Sequence, residues 1–203
     1  IFISDEGFGH SVRQKTIITE FLKYNSKIEF TIFNNKRLLF LKEYFGNKLN
    51  YQHCLETLYT IKKKNGELDL LKTKKILTSW PKKSNLNIKR ILSKKDNLNF
   101  DLIISDLVPE SFEFAKILNI PAYGVARFAW DWFFLNTNLK NLKEIKLIKK
   151  SLKLSNKIYF STFIKNKILP YNHFNFKETN LIFNKNIFNE GTNEFFKSNN
   201  TYK

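Results

Sequence analysis

Apolar residues along this chain form short runs that alternate with stretches of helical spacing. The run Ile1-Phe2-Ile3 predicts a buried parallel strand. Behind it, Ile17, Ile18 and Leu22 recur at the interval of one helix face, which predicts an amphipathic helix. By the same patterns we expect further strands at residues 27–33, 100–107, 122–128 and 157–161, and a weaker one within residues 51–61, around 55–61.

Further helices are indicated by their boundary residues as well as by spacing. Residues 37–45 are followed by Gly46, which favours a helix C-terminus. Pro109 is typical of a first helical position, and residues 139–154 follow a basic amphipathic pattern. Between residues 62 and 99, Pro81 is expected to separate two helices. Residues 165–203 show no clear period.

Strands that alternate with helices predict an α/β protein with a mostly parallel sheet, in a Rossmann-like three-layer α/β/α arrangement. We expect this domain at residues 1–164, and an irregular tail or the start of an interdomain linker at residues 165–203. In such sheets, ligands bind beyond the carboxyl ends of the strands. The segments that follow residues 1–3, 100–107 and 122–128 are therefore expected to share one edge.

The net charge of +17 comes from 35 basic residues, of which only four are arginine. Because specific recognition of phosphates and bases favours arginine, no nucleic-acid partner is expected. The lysines accompany many Asn, Ile and Phe residues, which is typical of an AT-rich genome; peripheral attraction to an anionic membrane surface stays open. No apolar run reaches the ~18–20 residues of a membrane span. The single Cys54 fits a reducing cytoplasm.

Several common site motifs are missing or incomplete. In the dinucleotide fingerprint G-x-G-x-x-G, Gly7 and Gly9 fit, but Val12 takes the third glycine position and the second strand ends in Asn34 instead of an acidic residue. No P-loop and no G-x-S-x-G sequence occurs. The three histidines lie far apart without a cysteine at metal-binding spacing. We therefore expect neither a cofactor nor a metal.

The turn G-x-G-H-x-x-R, from Gly7 to Arg13, instead carries a candidate general base. A helix N-terminus disfavours a protonated imidazole, so His10 is expected to be neutral and able to accept a proton. Asp106, at the carboxyl end of the strongest predicted strand, is placed to bond the other ring nitrogen. The alternatives are that His10 caps its own helix and that Asp106 caps the helix that begins at Pro109.

Other polar and aromatic residues of the same edge are candidates for substrate binding. Arg13 is expected either to bind an anionic group or to pair with Glu110 or Asp5. The two tryptophans near residue 131 are expected to alternate, one toward a bound ligand and one toward the core. The candidates for binding the substrate are Gly7, Phe8, Gly9, Ser11, Arg13, Pro109, Glu110, Arg127, Trp130, Asp131 and Trp132.

Two blocks, GFGHSVR at residues 7–13 and DLIISDLVPESFEFAKILNIPAYGVARFAWDWFF at residues 101–134, resemble the N-terminal, acceptor-binding domain of GT-B fold glycosyltransferases. The second block is also similar to the N-terminal half of some sugar kinases. The resemblance implies one half of a GT-B fold, with His10 and Asp106 at the positions of the His–Asp pair of some families. It implies inverting transfer from a nucleotide-sugar to a hydroxyl of a small molecule, a glycan or a lipid-linked acceptor.

Two alternatives stay open: a nucleotide-sugar hydrolase or epimerase of the same fold, and a non-catalytic, truncated binding module. In the GT-B fold the nucleotide-sugar sits chiefly on a second domain, and these 203 residues carry no motif for it. The chain alone is therefore expected to be an inactive fragment.

Overall fold

The computed structural model describes residues 1–94, 99–161, 175–179 and 182. Its helices are α1 Phe8–Tyr24, α2 Leu38–Phe45, α3 Leu70–Leu92, α4 Pro109–Leu118, α5 Trp130–Leu135 and α6 Lys143–Leu152, with a 3₁₀ turn at Gly46–Lys48. Its strands are β1 Thr31–Asn34, β2 Asn50–His53, β3 Ile103–Ser105, β4 Ala122–Ala126, β5 Lys157–Ser161 and β6 Phe176–Thr179.

All pairs of the described strands are parallel, and the extended residues 1–3 lie at the centre of the sheet. Phe2 forms parallel bridges to Phe33 of β1 on one side and to Ser105 of β3 on the other. Its N–H donates to Ile104 O at 2.9 Å. The order across the sheet is β2, β1, residues 1–3, β3, β4, β5 and β6.

Two hydrophobic clusters cover the two faces of this sheet, because successive residues of a strand point to opposite sides. Phe2 and Phe33 belong to the cluster that includes residues of α3, α4, α5 and α6. Ile3 and Ile32 belong to the cluster that includes residues of α1 and α2. The predicted α/β architecture, a mostly parallel sheet between two helical layers, is confirmed.

The strand order reverses at the centre of the sheet. From residues 1–3, α1 leads to β1 on one side, and the later segment that contains α3 leads to β3 on the other side. In open parallel sheets, ligands bind in the crevice at such a reversal, beyond the carboxyl ends of the strands. Here the crevice lies where α1 and α4 begin.

The third strand lies earlier in the chain than the sequence predicted. It is β2, Asn50–His53, and residues 55–61 contain no strand. Instead, Thr57 donates hydrogen bonds to the Asp5 carboxylate and Thr60 donates to that of Glu6. This segment is therefore fixed by side-chain acceptors and not by a strand ladder, although its residues alternate as in a strand.

The prediction that Pro81 separates two helices is wrong, because α3 runs through it without a break. A proline inside a helix costs about 3 kcal/mol through a lost hydrogen bond and a steric clash. Leu77 and Trp80 before it and Ile88 after it are all buried in the same cluster. Since each buried side chain of this size contributes about 1.5–3 kcal/mol, burial on both sides outweighs the proline.

Two differences concern the C-terminal part of the chain. β4 ends at Ala126, and the aromatic residues after it begin the helix α5 instead of extending the strand. β6 lies inside residues 165–203, for which the sequence predicted no element. Most of that predicted tail falls outside the described residues.

Candidate active site

His10 and Asp106 meet in the crevice where the strand order reverses. His10 is the third residue of α1, and Asp106 directly follows β3. The His10 Nδ1 atom lies 2.9 Å from Asp106 Oδ1, although the two residues are 96 positions apart in the chain. The imidazole side chain is 18% exposed, whereas the carboxylate is fully buried. The ring thus reaches solvent while one of its nitrogens is bound inside the protein.

The carboxylate determines which ring nitrogen of His10 carries the proton. An ionised carboxylate only accepts hydrogen bonds, so Nδ1 is the protonated nitrogen that donates to Asp106. In a neutral imidazole the other nitrogen, Nε2, then has a free lone pair. Within the described part of the chain, no group hydrogen-bonds to Nε2. This tautomer is the one that a proton acceptor requires.

Arg13 is the third member of this cluster. Its guanidinium binds the Asp106 carboxylate through Nη2 to Oδ1 at 2.6 Å and through Nε to Oδ2 at 3.2 Å. Gln14 Nε2 also donates to Oδ2, at 3.2 Å. The predicted pairs of Arg13 with Glu110 or Asp5 are therefore wrong, because the guanidinium is turned toward Asp106 instead.

Opposing effects act on the Asp106 carboxyl. Burial works to raise its pKa, while the charges of His10 and Arg13, and the hydrogen bonds from both, work to lower it. The net result is a pKa below the ordinary value, so Asp106 is an anion at neutral pH. A fixed negative charge at Nδ1 stabilises the imidazolium that forms when His10 accepts a proton.

The turn after β3 that presents Asp106 has an uncommon backbone. Leu107 has a φ of 44°, a left-handed conformation that is rare for a bulky residue. Ser105 Oγ accepts from Val108 N–H at 3.0 Å, and Ser111 Oγ donates to Ser105 Oγ at 2.7 Å. Sequence reasoning missed these serines, although a serine before and a serine just after the proline that begins a helix favour a turn of this kind.

The structure excludes the capping roles considered for His10 and Asp106. The N-cap of α1 is Gly7 and that of α4 is Val108, and neither helix has a side-chain cap. Both side chains are instead directed toward each other. Their catalytic roles stay predictions, now with a geometry that fits them.

Gly7 and Gly9 are not required by the shape of the turn. Gly7 has a φ of −164°, which any residue adopts, and Gly9 lies in the first turn of α1. Apart from the two chain neighbours and the backbone of the same helix, an added Cβ at either position would meet no atom within 4 Å. Because glycine inside a helix costs about 0.5–1 kcal/mol relative to alanine, Gly9 lowers stability and leaves open space beside His10.

We expect Gly9→Ala to raise the free energy of unfolding by up to about 0.5–1 kcal/mol and to lower the catalytic efficiency for the acceptor. The methyl group stabilises α1 but occupies space next to His10. Denaturant unfolding and steady-state kinetics measure the two effects. Thr16→Ala, about two turns further along α1, is the matched control and should leave the kinetics unchanged. Unchanged kinetics in both variants would contradict a substrate position beside Gly9.

The other predicted substrate residues differ in accessibility. Phe8 and Arg127 are exposed, and Trp132 is partly buried. The sequence predicted that the two tryptophans alternate as residues of a strand do. This reason is wrong, because both lie on the helix α5. The predicted substrate residues that the structure buries are Ser11, Pro109, Glu110, Trp130 and Asp131, together with Arg13. Of the predicted side chains, Phe8, Arg127 and Trp132 are thus the ones accessible to a substrate.

Glu110 does not face the crevice. Trp80 Nε1 donates to its Oε2 at 3.0 Å and Asn87 Nδ2 donates to its Oε1 at 3.4 Å, so the carboxyl joins α4 to α3. A packing role therefore replaces the predicted substrate contact. Burial raises the pKa of Glu110 above its ordinary value, and the hydrogen bonds from Trp80 and Asn87 offset this only in part.

The raised pKa of Glu110 predicts a pH-dependent stability. Its contribution is fully present below the unfolded-state pKa of 4.5 and is lost as the pH rises through the higher folded-state pKa. Relative to the wild type, Glu110→Gln should therefore gain in free energy of unfolding as the pH rises from 4.5 toward neutrality. Denaturant unfolding across this range measures it. Glu20→Gln, at an exposed site on α1, should run parallel to the wild type; a parallel curve for Glu110→Gln would contradict the assignment.

The part of the chain that the structure describes contains no group of three or more His, Cys, Asp or Glu side chains that could hold a metal ion. A cleft of about 950 Å³ lies at the opposite edge of the sheet, at the amino ends of the strands, between Lys27, Asn50 and Asp101. None of the predicted site residues lines it. The chemistry of the described chain is concentrated at the carboxyl edge.

No protein-family model and no curated protein sequence matches this chain. Solved structures do match it. UGT89C1 of Arabidopsis thaliana, complexed with UDP-L-rhamnose, is similar with a TM-score of 0.58 and 12% identity over 90% of this chain. UGT2 of Phytolacca americana, complexed with UDP-2fluoro-glucose and pterostilbene, has a TM-score of 0.56 and 11% identity over 95% of this chain. UGT71G1 of Medicago truncatula, complexed with UDP-glucose, has a TM-score of 0.53 and 12% identity over 80% of this chain.

These structures are UDP-glycosyltransferases of the GT-B fold, and this chain has the fold of one half of them. It covers 51%, 56% and 45% of their respective lengths, so it spans about half the length of the solved structures that it matches. The predicted half of a GT-B fold is confirmed. At this level of identity the likeness concerns the fold, and the activity rests on the site.

Proposed function

We propose that this chain is the acceptor-binding half of an inverting glycosyltransferase, which moves a sugar from a nucleotide-sugar to an acceptor hydroxyl. The observation that carries the proposal is the 2.9 Å contact between His10 Nδ1 and Asp106 Oδ1. Its position at the reversal of the strand order supports a role in ligand chemistry. The likeness to structures complexed with UDP-sugars supports the donor class.

In this reaction, His10 is the general base. The acceptor hydroxyl approaches Nε2, and its proton passes to Nε2 as its oxygen attacks the anomeric carbon of the donor sugar. The bond between that carbon and the phosphate oxygen breaks, and the nucleoside diphosphate leaves with the electron pair. Because the attack comes from the side opposite the leaving group, the configuration at the anomeric carbon is inverted.

Asp106 acts through His10 and is a positioning residue. It holds the ring with Nδ1 protonated and stabilises the imidazolium after proton transfer. Arg13 and Gln14 keep the carboxylate charged and oriented. Arg13 Nη2 lies 3.2 Å from His10 Nδ1, and since both are donors toward Asp106, they share this acceptor.

The nucleotide-sugar is proposed to bind chiefly to a second domain. The acceptor is a hydroxyl-bearing small molecule, glycan or lipid-linked compound that enters beside Gly9. Phe8, Arg127 and Trp132 are proposed contacts with it, because they are accessible at this edge. By itself, the 203-residue chain is expected to show no turnover.

The test is to incubate the complete product of the reading frame with nucleotide-sugars, with and without candidate acceptors. The proposal predicts that the nucleoside diphosphate is released only with an acceptor and that the product has an inverted anomeric configuration by NMR. Release of free sugar without an acceptor would indicate the hydrolase or epimerase alternative. No conversion with any nucleotide-sugar would favour the non-catalytic module.

A cytoplasmic location stays a prediction. None of the helices in the described residues has both the length and the apolarity to cross a membrane.

A further inference from the structure

Positive charge is unevenly distributed among the helices. Within α3, Leu70–Leu92, seven residues are basic and none is acidic. α6, Lys143–Leu152, has four lysines, and its only acidic residue, Glu144, is buried. By contrast, α1 and α2 together contain four basic and two acidic residues. A compositional bias of the genome would spread lysine over all helices, so it does not account for this concentration.

The outward side of α3 combines lysines with exposed leucines. One side of α3 faces the core, with buried residues that recur every three or four positions, at 73, 77, 80, 84, 88 and 91. The opposite side of the helix is exposed. Leu71 is 78% exposed and Leu86 is 46% exposed. The outward residues of α3 are Leu71, Lys75, Lys82, Leu86 and Lys89.

α6 is a neighbour of α3, since the two helices contact each other. Ile145, Ile148 and Leu152 are buried, and a lysine-rich side with one leucine is turned away from the core. Leu147 is 42% exposed. The outward residues of α6 are Lys143, Lys146, Leu147 and Lys150, and with those of α3 they make up the α3–α6 surface.

We propose that the α3–α6 surface docks on a bilayer that contains anionic phospholipids. Clusters of basic residues on a helix are attracted to the negative potential of such a surface, and each basic residue near the surface adds to this attraction. Exposed leucines among the lysines can enter the boundary between headgroups and acyl chains while the ammonium groups stay at the phosphates. The charges and the apolar side chains of this surface therefore match one partner.

A nucleic acid fits this surface less well. Six of the seven basic residues of α3 are lysine, and all four of α6 are lysine, whereas phosphate and base recognition favours arginine. The exposed leucines have no counterpart along a phosphate backbone. A membrane surface uses both kinds of side chain.

The test is sedimentation of the 203-residue chain with phosphatidylcholine vesicles, with and without phosphatidylserine. Binding is expected with phosphatidylserine and should fall as salt is added, because the Debye length shrinks. The triple variant Lys75→Glu/Lys82→Glu/Lys89→Glu should bind at least about a hundredfold more weakly. Leu71→Ser/Leu86→Ser should also bind more weakly, although its charge is unchanged.

The matched control is Lys27→Glu/Lys42→Glu/Lys48→Glu, with the same charge change at exposed residues outside α3 and α6. It should retain most of the binding, and thermal unfolding should show that all variants are folded. Equal loss in both triple variants would overturn the proposal, because it would show that only net charge matters. Binding to duplex DNA that α3 variants lose, without binding to anionic vesicles, would overturn it as well.

Discussion

Replacing His10 with alanine should lower sugar transfer by at least about a hundredfold while the fold persists. The variant removes the Nε2 atom that is proposed to accept the proton of the acceptor hydroxyl, and a general base typically contributes about 10²–10⁴-fold to the rate. The loss of the hydrogen bond to the buried Asp106 carboxylate should lower the free energy of unfolding by about 1.5–3 kcal/mol. The fold should persist, because Arg13 and Gln14 still donate to this carboxylate. Single-turnover kinetics of the complete product, with circular dichroism as the test of folding, measures the effect.

His53→Ala is the matched control, because His53 is an exposed histidine at the carboxyl end of β2, on the same edge of the sheet. It should retain the wild-type rate. Near-normal activity of His10→Ala would eliminate His10 as the base. An equal loss in both variants would show that the loss is not specific to His10.

The second large effect is expected on stability. Arg13→Ala should lower the free energy of unfolding by about 3–5 kcal/mol, because it leaves the buried Asp106 carboxylate without its bidentate partner. His10 and Gln14 still donate to Asp106, so the lower end of this range is expected. Lys23→Ala on the same helix removes the exposed ion pair with Glu20 and should cost at most about 0.5 kcal/mol.

The pH dependence of stability should change in the same variant. In the wild type, the lowered pKa of Asp106 means that its stabilisation is present above the unfolded-state value of 3.8 and is lost as the pH falls through the folded-state pKa. Without the Arg13 charge and its hydrogen bonds, the pKa of Asp106 should be higher than in the wild type, so the loss should begin at a higher pH. Arg13→Ala with wild-type stability across the acidic range would contradict the buried pair.

Elements with local signals were predictable from the sequence. Gly46 ends α2 and Pro109 begins α4 as expected, because both residues act through their own backbone geometry. The apolar run of residues 1–3 and the apolar residues Ile103 and Ile104 mark extended segments that are covered on both faces of the sheet. The class of fold follows from the alternation of such elements.

The sequence predictions that were wrong concern features that depend on contacts between distant segments of the chain. β2 is short and polar, and it forms because β1 offers it a parallel partner. α3 continues through Pro81 because residues on both sides of it are buried. The partner of Arg13, Asp106, lies 93 positions away, whereas the sequence suggested Glu110, Asp5 or an anionic ligand. The fold decides this by placing α1 beside Asp106, the residue that follows β3.

The candidate pair itself was predictable because two local rules converge on it. Ligand chemistry in parallel sheets gathers at the carboxyl ends of strands, and both His10 and Asp106 follow strands that lie next to each other. The accessibility of the neighbours was not predictable, since Glu110 and Asp131 are polar residues whose burial depends on α3 and α5.

The most direct test of the central claim is a double-mutant cycle on His10 and Asp106. Turnover of the complete product would be measured for His10→Ala, Asp106→Asn and the double variant, at a temperature where all three are folded. If Asp106 acts only through His10, Asp106→Asn should be milder than His10→Ala, and the double variant should be no slower than His10→Ala. Additive losses, or an unchanged rate in Asp106→Asn, would contradict a His10–Asp106 unit.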